Sequence, residues 1–196
     1  IKGIRWIRIL YCYPEEIYPE LIQVMKEEKK VCHYLDLPIQ HANDTILRRM
    51  GRRTTKAELL DIIGTLRKEI PDIVLRTTLI TGFPGETEEQ HEELMDFVDE
   101  VEFERLGVFT YSPEEDTPAA EMLDQIPEEI KQKRRNEIME LQQDIAFEKS
   151  ENMTGRVLEV MIEGKVADEN AYVGRTYMDS PNVDGLIFVN TAIPLM

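Results

Sequence analysis

The chain has 196 residues, enough for one large domain or for a medium domain with a small companion. Its 39 acidic residues outnumber 23 basic ones, a net charge of −16, which argues against nucleic acid as a partner, because such a binder displaces phosphate counterions with Lys and Arg. Hydrophobic residues make up 42%, sufficient for a core, yet no apolar run reaches the ~18 residues of a membrane span.

The opening IKGIRWIRILY is a strand pattern with charges inside it, not a secretory signal. It does not start with Met, so the chain reads as a piece of a longer protein. Cys12 and Cys32 are the two cysteines. In a chain without secretory features they argue against a disulfide framework and for a reducing, cytoplasmic setting. Their separation does not suit a metal knuckle, and Cys32 beside His33 reads as a buried thiol.

Four strand-like runs follow in order, at residues 4–11, 33–39, 73–81 and 106–112. Amphipathic helical stretches separate them. The first, PEEIYPELIQVMKEEKK, puts Ile17, Leu21, Val24 and Met25 on one face. TKAELLDIIGTLRKEIP carries the capping-box spacing Thr55/Glu58 and the stripe Leu59, Ile62, Ile63, Leu66 and Ile70. TEEQHEELMDFVDEV has Thr87 and Gln90 as a second cap pair, with Leu94, Phe97, Val98 and Val101 turned inward. Strands joined by helices of this length run parallel. The expected fold class is therefore α/β: a partial β/α (TIM-like) barrel or an open sheet, since four repeats cannot close a barrel. Both strand faces carry apolar or β-branched residues, which predicts cover on both sides.

A single long helix is expected near residues 127–151, with Pro127 in its first turn and Gly155 beyond its end. From Arg156 the pattern changes to short strands in RVLEVMIEGK, AYVGRTYM and GLIFVN. Residues 1–151 and 152–196 are thus read as two units, the second a small antiparallel module that is expected to be incomplete.

Ligands of parallel α/β folds sit at the C-terminal ends of the strands. Here those ends are YCYP (11–14), DLPIQHAN (36–43), ITGFPGETE (80–88) and FTYSPEEDT (109–117). They would bring Gln40, His41, Asn43, Thr81, Glu86, Tyr111, Ser112, Glu114 and Glu115 to one rim. RTTLITGFPGETEE is not a phosphate loop: no Lys follows Gly85, and Glu86, Glu88 and Glu89 would repel an anion. Gly82 and Gly85 read as places where backbone comes close to a flat, neutral or cationic ligand. No nucleophile triad is present, and His41 is the one histidine placed for acid–base work. Glu114 and Glu115 are adjacent and point apart, unlike a glycosidase pair.

Taken in order, WIRILYCYP, YLDLPIQHANDTILRRMGR, LRTTLITGFPGETEE, RLGVFTYSPEEDTPA and IPEEIKQKRRNEIMELQQDI resemble the methylthiotransferase branch of the radical S-adenosylmethionine enzymes. VGRTYMDSPNVDG resembles the TRAM module that closes them. The resemblance implies a six-stranded partial barrel of which these strands are the third to sixth. It also implies S-adenosylmethionine as cofactor and two 4Fe-4S clusters in the intact protein. The Cys-x-x-x-Cys-x-x-Cys loop that holds the cleaving cluster is absent here, so no metal is expected in this chain. By the same resemblance the cofactor-binding residues are Gln40, Thr78, Gly82, Phe109, Tyr111 and Ser112. Thr78, Ile80 and Gly82 match the strand-end pattern beside the adenine, whereas Glu86 stands one residue late. An inward Arg76 calls for a partner such as Asp36.

Two substrates are known in that branch: an aspartate of a small-subunit ribosomal protein, and an isopentenylated adenosine of transfer RNA. A stand-alone binding module is the non-enzymatic alternative. Residues 152–196 hold three bases against six acids, a net of −3, which suits a basic ribosomal protein as partner better than RNA.

Overall fold

The computed structural model describes residues 2–195. Four strands, β1 (Ile7–Ile9), β2 (Val31–Asp36), β3 (Val74–Thr81) and β4 (Arg105–Thr110), form one parallel sheet in that order. The connections are α1 (Pro19–Glu27), α2 (Asp44–Arg49) with α3 (Lys56–Glu69), and α4 (Glu88–Val101). The long α5 (Glu128–Glu151) follows, then an antiparallel sheet of β5 (Met161–Lys165), β6 (Ala171–Arg175) and β7 (Ile187–Asn190).

Local chemistry sets the helix starts. Thr55 accepts from the Glu58 amide while the Glu58 side chain accepts from the Thr55 amide, and Thr87 and Gln90 repeat the arrangement for α4. Each box satisfies two amides that a helix start leaves orphaned. Pro127 caps α5, with Glu128 and Glu129 in the first turn and Lys149 in the last, as the helix dipole favours.

One face of the parallel sheet is apolar. Leu35, Leu37, Leu75, Leu79 and Val108 pack with Met25, Leu59, Ile63, Leu66, Leu94, Phe97, Val98 and Ile138 of the helices. The opposite face carries Tyr34, Asp36, Arg76 and Thr78. Helices on one face only make a barrel segment rather than a doubly wound sheet. The second face is polar where apolar cover was expected on both, because it looks onto the concave interior instead of a second helix layer. Only its lower end is covered: Cys32, Tyr34 and Val74 pack there with Trp6, Tyr177 and Met178.

β1 is shorter than its sequence run. Pairing stops at Ile9, Tyr11 turns into the left-handed region (φ 59°), and its amide donates to the Asp36 carboxylate at 3.2 Å.

Candidate functional site

The four strands release their ends side by side. Gln40 bridges to β3: its amide donates to the Thr78 carbonyl (3.0 Å) and its carbonyl accepts from the Ile80 amide (2.8 Å). It does so with φ 71°, a conformation unusual for glutamine. The Tyr111 amide donates to the Thr81 carbonyl at 2.8 Å. Register pairs Thr78 with Gly107 and Ile80 with Phe109, so Thr78, Ile80 and Phe109 share the concave face. Gln40, Thr78, Gly82, Phe109, Tyr111 and Ser112 therefore lie on the ends of three adjacent strands.

Phe109, next to the end of β4, is 64% exposed on that face. A large aromatic left uncovered beside polar strand ends suits a flat ligand that stacks on it. Tyr111 packs edge-on against Phe83 (ring centroids 5.2 Å apart), and its hydroxyl is buried without a partner among the described residues. Ser112 is exposed.

The loop after β3 is organised by Glu86, which is 2% exposed. One carboxylate oxygen accepts from the amides of Gly82 (2.8 Å) and Phe83 (3.3 Å); the other accepts from Arg134 of α5 (2.9 Å). Burial alone would raise its pKa. His41, Arg134 and the Gly82 amide outweigh that and hold the carboxyl below its usual range. Glu86 is thus committed to the loop, not to a ligand.

His41 is fully buried. Its Nδ1 accepts from the Asn43 amide (2.9 Å), and its Nε2 faces Glu86 at 3.7 Å. The acid–base placement expected for His41 is therefore corrected: the loop folds the imidazole inward as a neighbour of Glu86. Asn43 caps α2 by accepting from the amides of Thr45 and Ile46. Glu114 and Glu115 are exposed on the loop after β4.

The close approach that Gly82 and Gly85 permit is made by the chain's own side chains, which corrects the expectation of a ligand there. A Cβ at Gly82 would penetrate Lys131 Cγ and lie 3.0 Å from its Cβ. One at Gly85 would penetrate the Arg49–Asp124 pair, an ion pair at 2.8 Å. Lys131 is 5% exposed; its Nζ donates to the Tyr111 carbonyl (2.8 Å) and sits 5.2 Å from the Tyr111 ring centroid. Sequence reasoning missed Lys131 and Arg134 as site-building residues. The one signal is the basic run KQKRR on a helix whose other charges are mostly acidic. Arg52 was missed too: it donates to the Pro38 carbonyl and lies over the Tyr13 ring at the same rim. The expected Arg76–Asp36 pair is present at 2.8 Å.

The thiols do not fit an iron–sulfur cluster. Cys12 follows the end of β1 and Cys32 opens β2, at opposite ends of neighbouring strands. Burial, and then Asp36 for Cys12, pushes both above the thiolate range that ligation requires. Among the described residues no cluster of three His, Cys, Asp or Glu is placed to hold a metal. A cleft of about 700 Å³ lies at the far end of the strands, between α5 and the small module. Most of the charges on its walls are paired, such as Lys149 with Glu104 at 2.9 Å. Volume alone would favour that cleft; the unpaired polar and aromatic groups favour the strand ends.

The rim offers an aromatic platform and backbone polar groups, with the carboxylates Glu114 and Glu115 exposed beside it. Comparisons with known proteins bear on the family and the fold. The sequence profile of the family described as the Radical SAM superfamily matches residues 1–98, and that of the TRAM domain matches residues 154–195. The chain is similar to the ribosomal protein uS12 methylthiotransferase RimO of Lachnoclostridium phytofermentans, 66% identical over 196 residues, covering 100% of this chain and 44% of that relative. It is also similar to the RimO of Desulfitobacterium hafniense, 54% identical over 191 residues, 97% of this chain and 43% of that relative. The chain thus spans less than half the length of these relatives. Among solved structures, coproporphyrinogen III oxidase HemN from Escherichia coli, a radical SAM enzyme, superposes with a TM-score of 0.54 at 23% identity, over 74% of this chain and 32% of that one. Elp3 of the archaeon Methanocaldococcus infernus gives 0.54 at 10% identity, over 86% of this chain and 52% of that one. At such identities these likenesses speak for the fold alone.

Proposed function

The chain belongs to the radical SAM superfamily, and from that premise we propose that it is the barrel and TRAM part of a methylthiotransferase that adds a methylthio group to the β-carbon of an aspartate in the small-subunit ribosomal protein uS12. The observation that carries the reading is the 66% identity that runs the full length of the chain to a relative of that name. Residues 1–151 would form the C-terminal part of the barrel and 152–196 the TRAM module.

S-adenosylmethionine would be the cofactor held at this edge, where it would supply a sulfonium as the source of the radical chemistry. Phe109 would stack on the adenine. Gln40 and Thr78 would address the ribose or the amino-acid end, Tyr111 and Ser112 would close the rim, and Gly82 sets the turn that lets Lys131 hold the Tyr111 carbonyl. The two 4Fe-4S clusters would be held outside this chain, because its two thiols do not fit one, and no step is assigned to them here.

The partner would be a basic protein met in the cytoplasm. A net charge of −16 steers such a partner and repels RNA, and among the described residues no helix is long and apolar enough to cross a membrane. The test uses the intact parent enzyme with recombinant uS12 and with transfer RNA. The expected result is a methylthio group on a uS12 aspartate by mass spectrometry, with uS12 binding weakened as salt is raised. Modification of the transfer RNA, with tight, salt-sensitive RNA binding, would overturn it.

A further inference from the structure

The lower end of the concave face is closed by the segment 176–184, which leads from β6 toward β7. This segment brings two carboxylates against the barrel. Asp184 accepts from the Tyr34 hydroxyl (2.7 Å) and from the Ser180 amide (2.7 Å), and its second oxygen lies 3.6 Å from Arg76 Nε. Asp179 accepts from Arg105 at 2.7 Å and from the Thr176 hydroxyl at 2.9 Å. Arg8 donates to the Tyr177 carbonyl at 2.9 Å.

Arg76 is the member of this junction that also faces upward. Its Nη1 donates to Asp36 Oδ1 (2.8 Å) and to the Thr78 hydroxyl (3.3 Å). The other Asp36 oxygen accepts from the Tyr11 amide (3.2 Å), and the Asp36 carbonyl accepts from the Cys12 amide (2.9 Å). A continuous set of polar contacts thus runs from Asp184 in the small module, through Arg76, to Thr78 and to the end of β1. One guanidinium lies between two carboxylates, Asp36 and Asp184, whose side chains are only 3% and 4% exposed. Moving it away would leave both without their shared countercharge, a strongly unfavourable state. Burial and Asp184 push the Tyr34 phenol well above its ordinary range, so it stays a donor to Asp184.

We propose that Arg76 is a positioning residue through which the small module fixes the floor of the cofactor site. Asp184 sets the guanidinium from below, and Arg76 then sets the Thr78 hydroxyl and, through Asp36, the Tyr11 turn. Docking of a substrate on the module would reach the strand ends by this route. Arg105–Asp179 joins the same two parts without continuing to the rim, so it serves as the internal control. The role at the cofactor rests on the function proposed above; the contact route itself does not.

The experiment has two arms. In the 196-residue chain, amide hydrogen exchange is followed by NMR in Asp184→Asn, Tyr34→Phe and Asp179→Asn. Exchange of the Tyr11 and Cys12 amides is expected to accelerate about tenfold in Asp184→Asn and by less in Tyr34→Phe, while staying unchanged in Asp179→Asn; Leu79 and Val108 report that the sheet is intact. Equal effects of Asp184→Asn and Asp179→Asn, or no effect of either substitution of Asp184 and Tyr34, would overturn the route. In the intact enzyme, Arg76→Met is expected to raise KM for S-adenosylmethionine about tenfold while kcat stays within about twofold, and Arg76→Lys to recover part of the loss. Unchanged KM alongside accelerated exchange would overturn the role at the cofactor, and no saturable cofactor dependence in the unaltered enzyme would overturn the function on which that role rests.

Discussion

Replacing Glu86 by alanine is expected to cost about 3–5 kcal/mol, the usual penalty for removing one partner of a buried ion pair. The substitution takes the buried one of two carboxylates from Arg134, which is 4% exposed and keeps Glu88 at 3.0 Å, and frees the amides of Gly82 and Phe83 inside the loop. Glu86→Gln, which keeps the shape and some hydrogen bonding, should cost less. The pH dependence carries a sign. The carboxyl of the folded protein titrates below the ordinary value of 4.5, so its contribution is complete above that value and is lost as pH falls through the lower, folded one. Urea midpoints should therefore differ widely between wild type and Glu86→Gln at pH 7 and converge toward pH 3. A constant difference across that range would show that the charge of Glu86 contributes nothing.

Alanine at Gly82 is the second large effect, about 2–5 kcal/mol. Gly82 has φ 69°, which costs a Cβ-bearing residue roughly 1–2 kcal/mol. The added methyl also enters the space of the Lys131 stem, an overpacking of about 1–3 kcal/mol. Lys131 cannot swing aside without releasing the Tyr111 carbonyl. Most of the steric part is separable by a double-mutant cycle with Lys131→Ala: in that background the alanine should cost little more than the backbone term, since only the residue 131 Cβ, 3.0 Å away, still crowds it. Strict additivity of the two substitutions would mean that Lys131 is not what requires the glycine.

The features most legible in sequence were those set within a few residues. The Thr55/Glu58 and Thr87/Gln90 boxes could be read because a cap is a contact over three positions. The start of α5 was read to within one residue because Pro127 fixes its own φ. The parallel order of the four strands followed from the lengths of their connections. Burial of charge was not legible. Lys131 and Arg134 look like the solvated side of a polar helix, and become interior only because α5 crosses the loop that holds Gly82 and Glu86. For the same reason the glycines were assigned to a ligand when side chains fill that space, and His41 was left on the rim when the loop folds it under. The polar concave face was not legible because Arg76 and Tyr34 share a partner, Asp184, that lies about 110 and 150 positions further along the chain.

The central claim is that the ends of adjacent parallel strands form a seat for an adenosyl sulfonium. Titrating S-adenosylmethionine into the isotopically labelled 196-residue chain and following amide shifts tests it most directly, since weak binding without the clusters is still visible by that method. The predicted result is a saturable set of shifts at Gln40, Thr78, Phe109, Tyr111 and Ser112. Shifts confined to the opposite end, at residues such as Tyr177, Asp179 and Lys149, would contradict it.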